Sequence, residues 1–406
     1  MRLREGEPCY NIFQAAPEVH ANGGNQRERM ALEEQIQART ATIFETFEHL
    51  HAHPEISWKE VETTRYLAER MRRLGLKVTT FADCTGLVAE WGEGTPVVGL
   101  RADMDALWQE VNGEWRPNHS CGHDAHMTMV LEAVETLIAS GYQPPGKLKI
   151  LFQPAEEKGT GALKLIEKGA VDDIDYLYGV HLRPIQEMRD GLAGPAIYNG
   201  AAQFLYGEIT GAAAHGARPH LGINAIEVAS AIVQGLGMVH TNPVVPASVK
   251  MTMLQAGGES TNIIPDKARF ALDLRAQTNR QMDDLLARVR QVIDGVAAMF
   301  QAQITVSTGS RMAAAEVHDE AKQLMEKAIV DVLGADGLQP APVSPGAEDF
   351  HFYTVERPRI KATMLALGCD LQPGLHHPHM RFERSALLKG VEILARVIVR
   401  TFAQVK

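Results

Sequence analysis

Apolar and polar positions alternate along this chain in stretches of helical and strand spacing. A helical period spans residues 59–74, and we predict a helix that begins near Gln26 and a long one at 124–140. Short apolar runs bounded by polar or turn residues predict strands at 78–81, 87–91, 97–100, 148–152, 176–180 and 363–367. This order favours an α/β fold, in which a mixed sheet carries helices on both faces.

A different rhythm occupies the region between the later strands of the predicted sheet. Its elements follow the order strand, helix, strand, strand, helix, strand, at 204–209, 225–239, 248–254, 268–274, 281–300 and 303–307. The βαββαβ order is typical of a ferredoxin-like domain. We therefore predict a lid or dimerisation domain at 200–309, inserted into a catalytic domain formed by 27–199 and 310–406. Residues 1–26 are predicted to be an N-terminal extension without an assigned function.

Composition narrows the choice of partners. The 406 residues carry a formal net charge of −10, and they lack the clustered lysines and arginines of a nucleic-acid surface. No apolar run is long enough to predict a membrane span, and the N-terminus lacks the apolar segment of a secretory signal. The four cysteines are dispersed and do not suggest a disulfide framework. We expect a cytoplasmic protein that binds small molecules rather than nucleic acids or membranes.

The segment NHSCGHDAH, residues 118–126, concentrates one thiol, three imidazoles and a carboxylate at the predicted start of a helix. Cys121 and His123 lie two positions apart, and a thiolate with a neutral imidazole suits zinc or a similar ion. The alternative is a polar helix start that contains a buried free cysteine. The density of ligand types favours a metal site.

Two adjacent carboxylates, Glu156 and Glu157, follow the predicted strand at 148–152. One of them can bind a metal ion while its neighbour takes a proton from water, and metal-assisted hydrolysis needs this division of labour. Adjacent acids in a loop are also commonly just solvated. On these residues alone, both interpretations stay open.

Further polar residues come directly or shortly after other predicted strands, namely His181, His376, Asp103 and Asp105. The site of an open α/β sheet lies outside the carboxyl ends of its strands, so we expect these candidates at one edge. A lone histidine on an apolar element is otherwise more often a core residue. We expect Asp103, Asp105 and Asp124 to orient imidazoles or to tune the charge of the site.

Three residues of the predicted insert also suit chemistry. His215 lies in a loop of small residues and Asn262 lies in the segment TNIIP; an imidazole and an amide can stabilise an oxyanion or hold a carboxylate. Arg275 carries a guanidinium, which suits bidentate binding of a carboxylate. The alternatives are a turn with incidental polar residues and a surface cation.

A series of motifs runs from about residue 40 to the C-terminus: HAHPEISWKEVETT, GLRADMDALW, NHSCGHDAHM, FQPAEEKGTGALKLIEKG, GVHLRP, AHGARPHLGINAIE, GGESTNIIPDKARFALDLRAQT, GAEDFHFY and LHHPHMRF. Together they resemble the aminoacylase/carboxypeptidase branch of the di-metal peptidases. That branch includes hippurate hydrolases, plant auxin-conjugate hydrolases and bacterial amidohydrolases. Other members often carry alanine where Ser120 and Gly216 stand here, and this departure concerns the substrate pocket rather than the ligands.

The resemblance implies a role for each matching residue. It implies two divalent ions, chosen among zinc, manganese, cobalt and nickel, with the ligands Cys121, His123, Glu157, His181 and His376. Glu156 matches the general base, and His215 and Asn262 match lid residues associated with the substrate. The lid of such families also forms a homodimer.

These expectations converge on an amidohydrolase that cleaves the amide bond of N-acyl amino acids through metal-activated water. Two alternatives stay open at this point. A dipeptidase or carboxypeptidase of the same fold would carry the same ligands, and only its substrates would differ. A metal-binding protein without catalysis belongs to another class, and the presence of Glu156 argues against it.

Overall fold

The computed structural model describes residues 23–405 of the chain. Their helices are α1 (Gly23–Ala52), α2 (Val61–Arg73), α3 (His123–Ala139), α4 (Gly161–Glu167), α5 (Ala225–Gly237), α6 (Asn279–Phe300), α7 (Asp319–Leu333), α8 (Phe352–Glu356) and α9 (Ala386–Gln404). None of these helices is both long and apolar enough to cross a membrane. Residues 1–22 of the predicted extension, 1–26, lie outside the described residues. Its last four residues, 23–26, already belong to α1.

The strands belong to one large sheet, one smaller sheet and three short ribbons. They are β1 (Lys77–Thr80), β2 (Leu87–Trp91), β3 (Val97–Asp103), β4 (Leu107–Val111), β5 (Glu114–Asn118), β6 (Lys147–Gln153), β7 (Tyr176–Pro184), β8 (Ala193–Gly194), β9 (Tyr198–Asn199), β10 (Ala201–Thr210), β11 (Ala214–His215), β12 (Ala247–Ala256), β13 (Ile263–Ile264), β14 (Lys267–Ala276), β15 (Gln303–Met312), β16 (Val343–Ser344) and β17 (Lys361–Leu371).

The large sheet has the strand order β1-β2-β6-β3-β7-β17-β8. Its central strands β6, β3, β7 and β17 run parallel, while β1, β2 and β8 pair antiparallel at the two sides. The sheet is therefore mixed, as predicted, and every strand predicted for it is present. Because the parallel strands end at the same edge, the segments after β3, β6, β7 and β17 come together there.

Alternate residues of each central strand point to opposite faces of the large sheet. Along β6, Leu148 and Ile150 join one apolar core with residues of α1, α3, α7 and α9. Leu151, between Ile150 and Phe152, joins a second core with residues of α4 and α8. Helices thus cover both faces, which confirms the predicted fold class.

The smaller sheet has the order β12-β14-β10-β15, and all its neighbouring strands are antiparallel. Residues of α5 and α6 form its apolar core together with Phe270 and Leu272 of β14. In chain order these elements are βαββαβ, as the sequence predicted. The chain leaves and re-enters the larger unit at adjacent points, because the Ala315 N–H donates to the Asn199 carbonyl at 2.9 Å.

The structure departs from the sequence prediction where polar residues continue a strand. β3 runs on to Asp103 and β7 to Pro184, so Arg101 and His181 lie within strands rather than after them. A prediction from hydropathy alone stops a strand at its first charged residue. In the structure Arg101 stays in the sheet because it pairs with buried acids. The hairpin β4–β5 was not predicted either; its turn has positive φ at Asn112 and Gly113, an Asn-Gly signal that could have revealed it.

Candidate metal centre

Polar side chains converge at the edge where the parallel strands end. The Cys121 Sγ lies 3.3 Å from the His376 Nε2 and 3.7 Å from the His181 Nε2. On the other side, the Glu157 Oε1 lies 3.4 Å from the His376 Nε2 and 3.9 Å from the His123 Nε2. The structure therefore brings together the candidate ligands that the sequence singled out: Cys121, His123, Glu157, His181 and His376.

Two groups of three ligand atoms within this cluster have the compactness of an ion site. One group is formed by Cys121, His123 and His181, and the other by Cys121, Glu157 and His376; the atoms of each lie within 4.8 Å of one another. Cys121 belongs to both groups. Thiolate, imidazole and carboxylate together suit divalent ions such as zinc.

Two buried atoms in the cluster lack a hydrogen-bond partner. These are the His123 Nε2 and the Glu157 Oε1. A buried polar atom without a partner costs free energy, so such atoms in a native fold call for a ligand. Both atoms face other candidate ligands, and the residues present therefore fit a bound divalent ion.

Local backbone features place these side chains. Gly122, with φ of 86°, precedes α3 and packs against Leu182, so Cys121 and His123 sit at the helix start on either side of a left-handed residue. Ala155, with φ of 51°, turns the chain after β6 into a short 3-10 turn that begins with Glu156. Both turns direct the following side chains toward the edge of the sheet.

Asp105 ties several parts of the site together. Its Oδ1 accepts from the Glu156 N–H and its Oδ2 from the Glu157 N–H, both at 3.1 Å, while the Ser57 hydroxyl donates to Oδ2 at 2.6 Å. The backbone carbonyl of Asp105 accepts from the His123 Nδ1 at 2.8 Å. With Nδ1 engaged in that bond, Nε2 is the ring nitrogen that faces the cluster.

Asp103 contacts a histidine that the sequence did not single out. The His126 Nδ1 donates to the Asp103 Oδ1 at 2.7 Å, and the His126 Nε2 accepts from the Leu182 N–H at 3.0 Å. The His181 Nδ1 donates to the Leu182 carbonyl at 2.7 Å. His126 therefore connects Asp103 with the segment of β7 that carries His181.

Asp124 lies one position after His123 and faces another way. Its Oδ2 accepts from the His51 Nδ1 at 2.6 Å, and its Oδ1 accepts from the Ala125 N–H at 2.8 Å. The His51 side chain is half exposed. Asp124 thus holds the start of α3 to the end of α1.

A buried cation beside the site also escaped the sequence reasoning. Arg101 is fully buried and donates to Asp103 at 2.7 Å and to Glu348 and Asp349 at 2.9 Å each. Glu348 and Asp349 form a further compact acidic group with Glu156. The motif GAEDFHFY contains both acids, but their proximity to β3 arises only from the fold.

The charges of the site shift its proton equilibria. Burial, with Glu348, Glu157 and Asp349 nearby, holds the pKa of Glu156 well above its usual range. Burial alone would lower the pKa of His123, but Asp103 and Cys121 raise it well above 6.5. The nearby Cys121 thiol and Glu157 carboxylate raise the pKa of His376 to about 10. An acidic, buried site of this kind holds positive charge tightly.

The candidates from the smaller unit form a separate group. His215 on β11 pairs with Ile263 on β13, and the Gly216 N–H donates to the Asn262 carbonyl at 2.8 Å. The His215 Nδ1 accepts from the Ala217 N–H at 3.0 Å, which leaves its Nε2 as the N–H donor of the exposed ring. His215 and Asn262 are therefore brought together, and His215 belongs to none of the candidate ligand groups among the described residues.

Arg275 lies elsewhere on the smaller sheet, in β14. Its guanidinium donates to Asp273 at 2.7 and 3.1 Å and lies over the Phe204 ring, 5.6 Å from the ring centre. The Asp273 carboxylate thus already uses two of the N–H donors of the Arg275 guanidinium. The predicted binding of a substrate carboxylate by Arg275 stays a prediction.

Comparisons with known proteins identify the family to which this chain belongs. Peptidase family M20/M25/M40 matches residues 99–400. IAA-amino acid hydrolase ILR1-like 6 of Arabidopsis thaliana is 31% identical over 86% of this chain and 78% of its own length. N-acetyl-L-cysteine deacetylase of Bacillus subtilis strain 168 is 32% identical over 84% of both chains.

A solved structure shares the fold as well as the sequence pattern. The YXEP protein of Bacillus subtilis, described as a dinuclear metal binding peptidase from the M20 family, superimposes with a TM-score of 0.77. The two chains are 26% identical, and the match covers 90% of this chain and 99% of the other. The predicted enzyme class, a metal-dependent hydrolase of linear amides, is thereby confirmed, while its ions and its substrate stay predictions. The chain belongs to peptidase family M20/M25/M40, in the branch of the aminoacylases and auxin-conjugate hydrolases.

Proposed function

We propose that the protein hydrolyses the amide bond of N-acyl amino acids with two divalent ions held by Cys121, His123, Glu157, His181 and His376. The observation that carries the proposal is the pair of buried, unpartnered ligand atoms, the His123 Nε2 and the Glu157 Oε1, directly beside Glu156. The names of the plant and Bacillus relatives supply the substrate class, since both act on an acyl group joined to an amino acid.

Bound ions of this kind polarise a carbonyl group and make water more acidic. The remaining work falls to side chains of this chain. Glu156 is buried and carries no predicted ligand role, so its carboxylate is free to take a proton from the attacking water. Glu156 would then pass that proton to the leaving amine nitrogen.

The smaller unit contributes to binding in this proposal. The His215 Nδ1 accepts from the Ala217 N–H, so the Nε2–H of this exposed ring is the donor that would stabilise the oxyanion that develops on the amide carbonyl. Asn262 and Arg275 would hold the carboxylate of the amino acid. In this scheme residues 200–309 act as a lid over the metal centre, and residues 27–199 and 310–406 as the catalytic domain.

The role of Glu156 is tested by replacing it with glutamine. We expect Glu156→Gln to keep its ions and to lose about 10²- to 10⁴-fold in turnover, because the amide cannot accept the proton. Metal content is measured by elemental analysis and turnover by release of free amino acid.

Glu60→Gln is the matched control for that experiment. Glu60 is equally buried and accepts from the N–H of Ala155, one position before Glu156, but is placed outside the proposed machinery. We expect this variant to retain most of its turnover. Near-native turnover of Glu156→Gln with a full complement of metal would refute the proposed base.

The substrate and the metal are tested together on chelator-stripped protein. Zinc, manganese, cobalt and nickel are added back singly, and N-acyl amino acids are compared with dipeptides. We expect metal-restored release of the amino acid from one class of N-acyl compound. Cleavage confined to dipeptides would move the protein to the peptidases, and metal-independent cleavage would overturn the proposed centre.

We also propose a cytoplasmic homodimer formed through the smaller unit. β12 is an edge strand of the smaller sheet, and a groove of about 390 Å³ between it and α5 is lined by residues that include Val233 and Met251. Val233 and Leu254 are 46% and 45% exposed. Exposed apolar side chains therefore lie beside the free edge of β12, and both features favour contact with a second copy of the chain.

Val233→Glu tests this interface. We expect the variant to sediment as a monomer at concentrations at which the wild type is a dimer, because a charge in an apolar contact is costly. Val306→Glu, on the opposite edge strand β15, is the matched control and should leave the dimer intact. A monomeric wild type, or dissociation by both variants, would contradict this mode of association.

A further inference from the structure

His376 differs from the other proposed ligands in how it is held. Its side chain is 53% exposed, whereas Cys121, His123 and His181 are each less than 9% exposed. It lies outside helices and strands, in a loop closed by the Gln372–Arg381 pairing. Its backbone φ is 63°, a conformation that L side chains rarely adopt. The loop itself therefore does not explain why His376 stays in place.

Both backbone groups of His376 are bound by residues near Cys121. The His376 N–H donates to the Ser120 carbonyl at 2.8 Å. The Gln109 side chain, on β4, donates from Nε2 to the His376 carbonyl, also at 2.8 Å. Hydrogen bonds thus hold both the N–H and the carbonyl of His376, whose backbone is left-handed. Such contacts can hold a backbone in a strained conformation.

The Gln109 side chain is itself oriented by two donors. Its Oε1 accepts from the Ser120 hydroxyl at 2.7 Å and from the Asn118 Nδ2 at 3.1 Å. The Asn118 amide also donates to the Pro378 carbonyl at 3.1 Å, two positions beyond His376. These bonds fix which end of the Gln109 amide points to His376. The hydroxyl comes from Ser120, the residue directly before Cys121.

We infer that Gln109, oriented by Ser120 and Asn118, is a positioning residue that holds His376 in the second ion site, the one formed with Cys121 and Glu157. The inference rests on the proposed metal centre and deepens it. It predicts that the two ions depend unequally on the hairpin β4–β5. The group formed by Cys121, His123 and His181 does not include His376, so its ion should be unaffected.

The test is a titration of chelator-stripped full-length protein with Zn²⁺ in competition with a chromogenic chelator. For the wild type we expect two ions per chain. For Gln109→Ala we expect one ion bound with wild-type affinity and the other weakened by about 10- to 100-fold, as is usual when a partner that orients a ligand is removed.

Two further variants separate the bonds of the network. Gln109→Glu has the same shape and still accepts from Ser120, but it cannot donate to the His376 carbonyl, so we expect it to behave like Gln109→Ala. Ser120→Ala removes one orienting bond only, and we expect the second ion to weaken by about 2- to 10-fold. Arg116→Ala is the control, because Arg116 is the exposed cross-strand partner of Gln109.

The melting temperature of each metal-free protein is measured alongside. A general structural role would lower that temperature and weaken both ions together, which would overturn the inference. Two ions bound by Gln109→Ala with wild-type affinity would overturn it as well. In both cases the proposed function stands. A wild type that binds no Zn²⁺ would instead refute the metal centre itself.

Discussion

The role of each histidine in this fold follows from what its two ring nitrogens meet. His126 is satisfied on both sides, by Asp103 and by the Leu182 N–H, whereas His123 is anchored through Nδ1 and leaves Nε2 open. The sequence singled out His123 by its spacing from Cys121, but it gave no role to His126. The contacts of His126 with Asp103 of β3 and Leu182 of β7 arise only from the fold.

His351 gives a residue-scale prediction about pH. Burial and the nearby Arg101 lower its pKa from 6.5 to about 3. Between those pH values the unfolded chain binds a proton that the folded protein does not. Stability is therefore lost as the pH falls through this window, by ~1.4 kcal/mol per pH unit for this one group.

Replacing the ring tests that contribution. Its Nε2 donates to the Asn199 Oδ1 at 3.0 Å, and in His351→Gln an amide N–H can take this place without titrating. Urea unfolding of metal-free protein at about pH 7 and about pH 5 should show a smaller loss of free energy for the variant than for the wild type. His240→Gln, at an exposed position, is the control. An equal change in both variants would contradict the assignment.

At the scale of elements, the central strands of the large sheet contain buried charged residues. β3 is buried along its whole length, although it ends in the sequence Arg101-Ala102-Asp103. Periodicity predicted the apolar beginnings of β3 and β7 but not their polar ends. The charged end of β3 can stay buried in the sheet because acids from a distant segment, Glu348 and Asp349, neutralise Arg101. No local pattern contains that information.

Arg101→Met tests how much this pairing matters. The methionine fills much of the volume but leaves Asp103, Glu348 and Asp349 without their buried cation. We expect the free energy of unfolding to fall by about 3–5 kcal/mol, measured by chemical denaturation. Arg269→Met is the matched control, because its pairing with Glu208 lies on the surface of the smaller sheet and is worth about 0–1 kcal/mol. Equal losses would show that burial is not the cause.

At the scale of the whole molecule, the sequence predicted two units because its periodicity changes twice. The order βαββαβ was recognisable since each of its elements has an amphipathic pattern of its own. The placement of the smaller unit relative to the metal centre was not predictable, because it depends on the two segments that join the units. These segments close on each other where the Ala315 N–H donates to the Asn199 carbonyl.

That closure allows the proposed domain division to be tested by excision. Replacing residues 201–311 by two glycines should leave a folded protein, since Met312 still packs against the larger unit. We expect the variant to bind Zn²⁺ and to lose hydrolysis of N-acyl amino acids, because His215, Asn262 and Arg275 are removed. Circular dichroism, metal titration and turnover are the measurements. An unfolded product would argue against two independent units.

The strand order also dictates when each part of the chain can fold during synthesis. The smaller sheet uses a continuous stretch of chain and can form as soon as β15 has left the ribosome. The large sheet must wait, because β17 pairs with β7 and β8, which are made far earlier. Until then one edge of β7 stays open to wrong partners. During this interval the smaller unit is complete while the large sheet is not. The risk of aggregation is therefore highest while the last quarter of the chain is being synthesised.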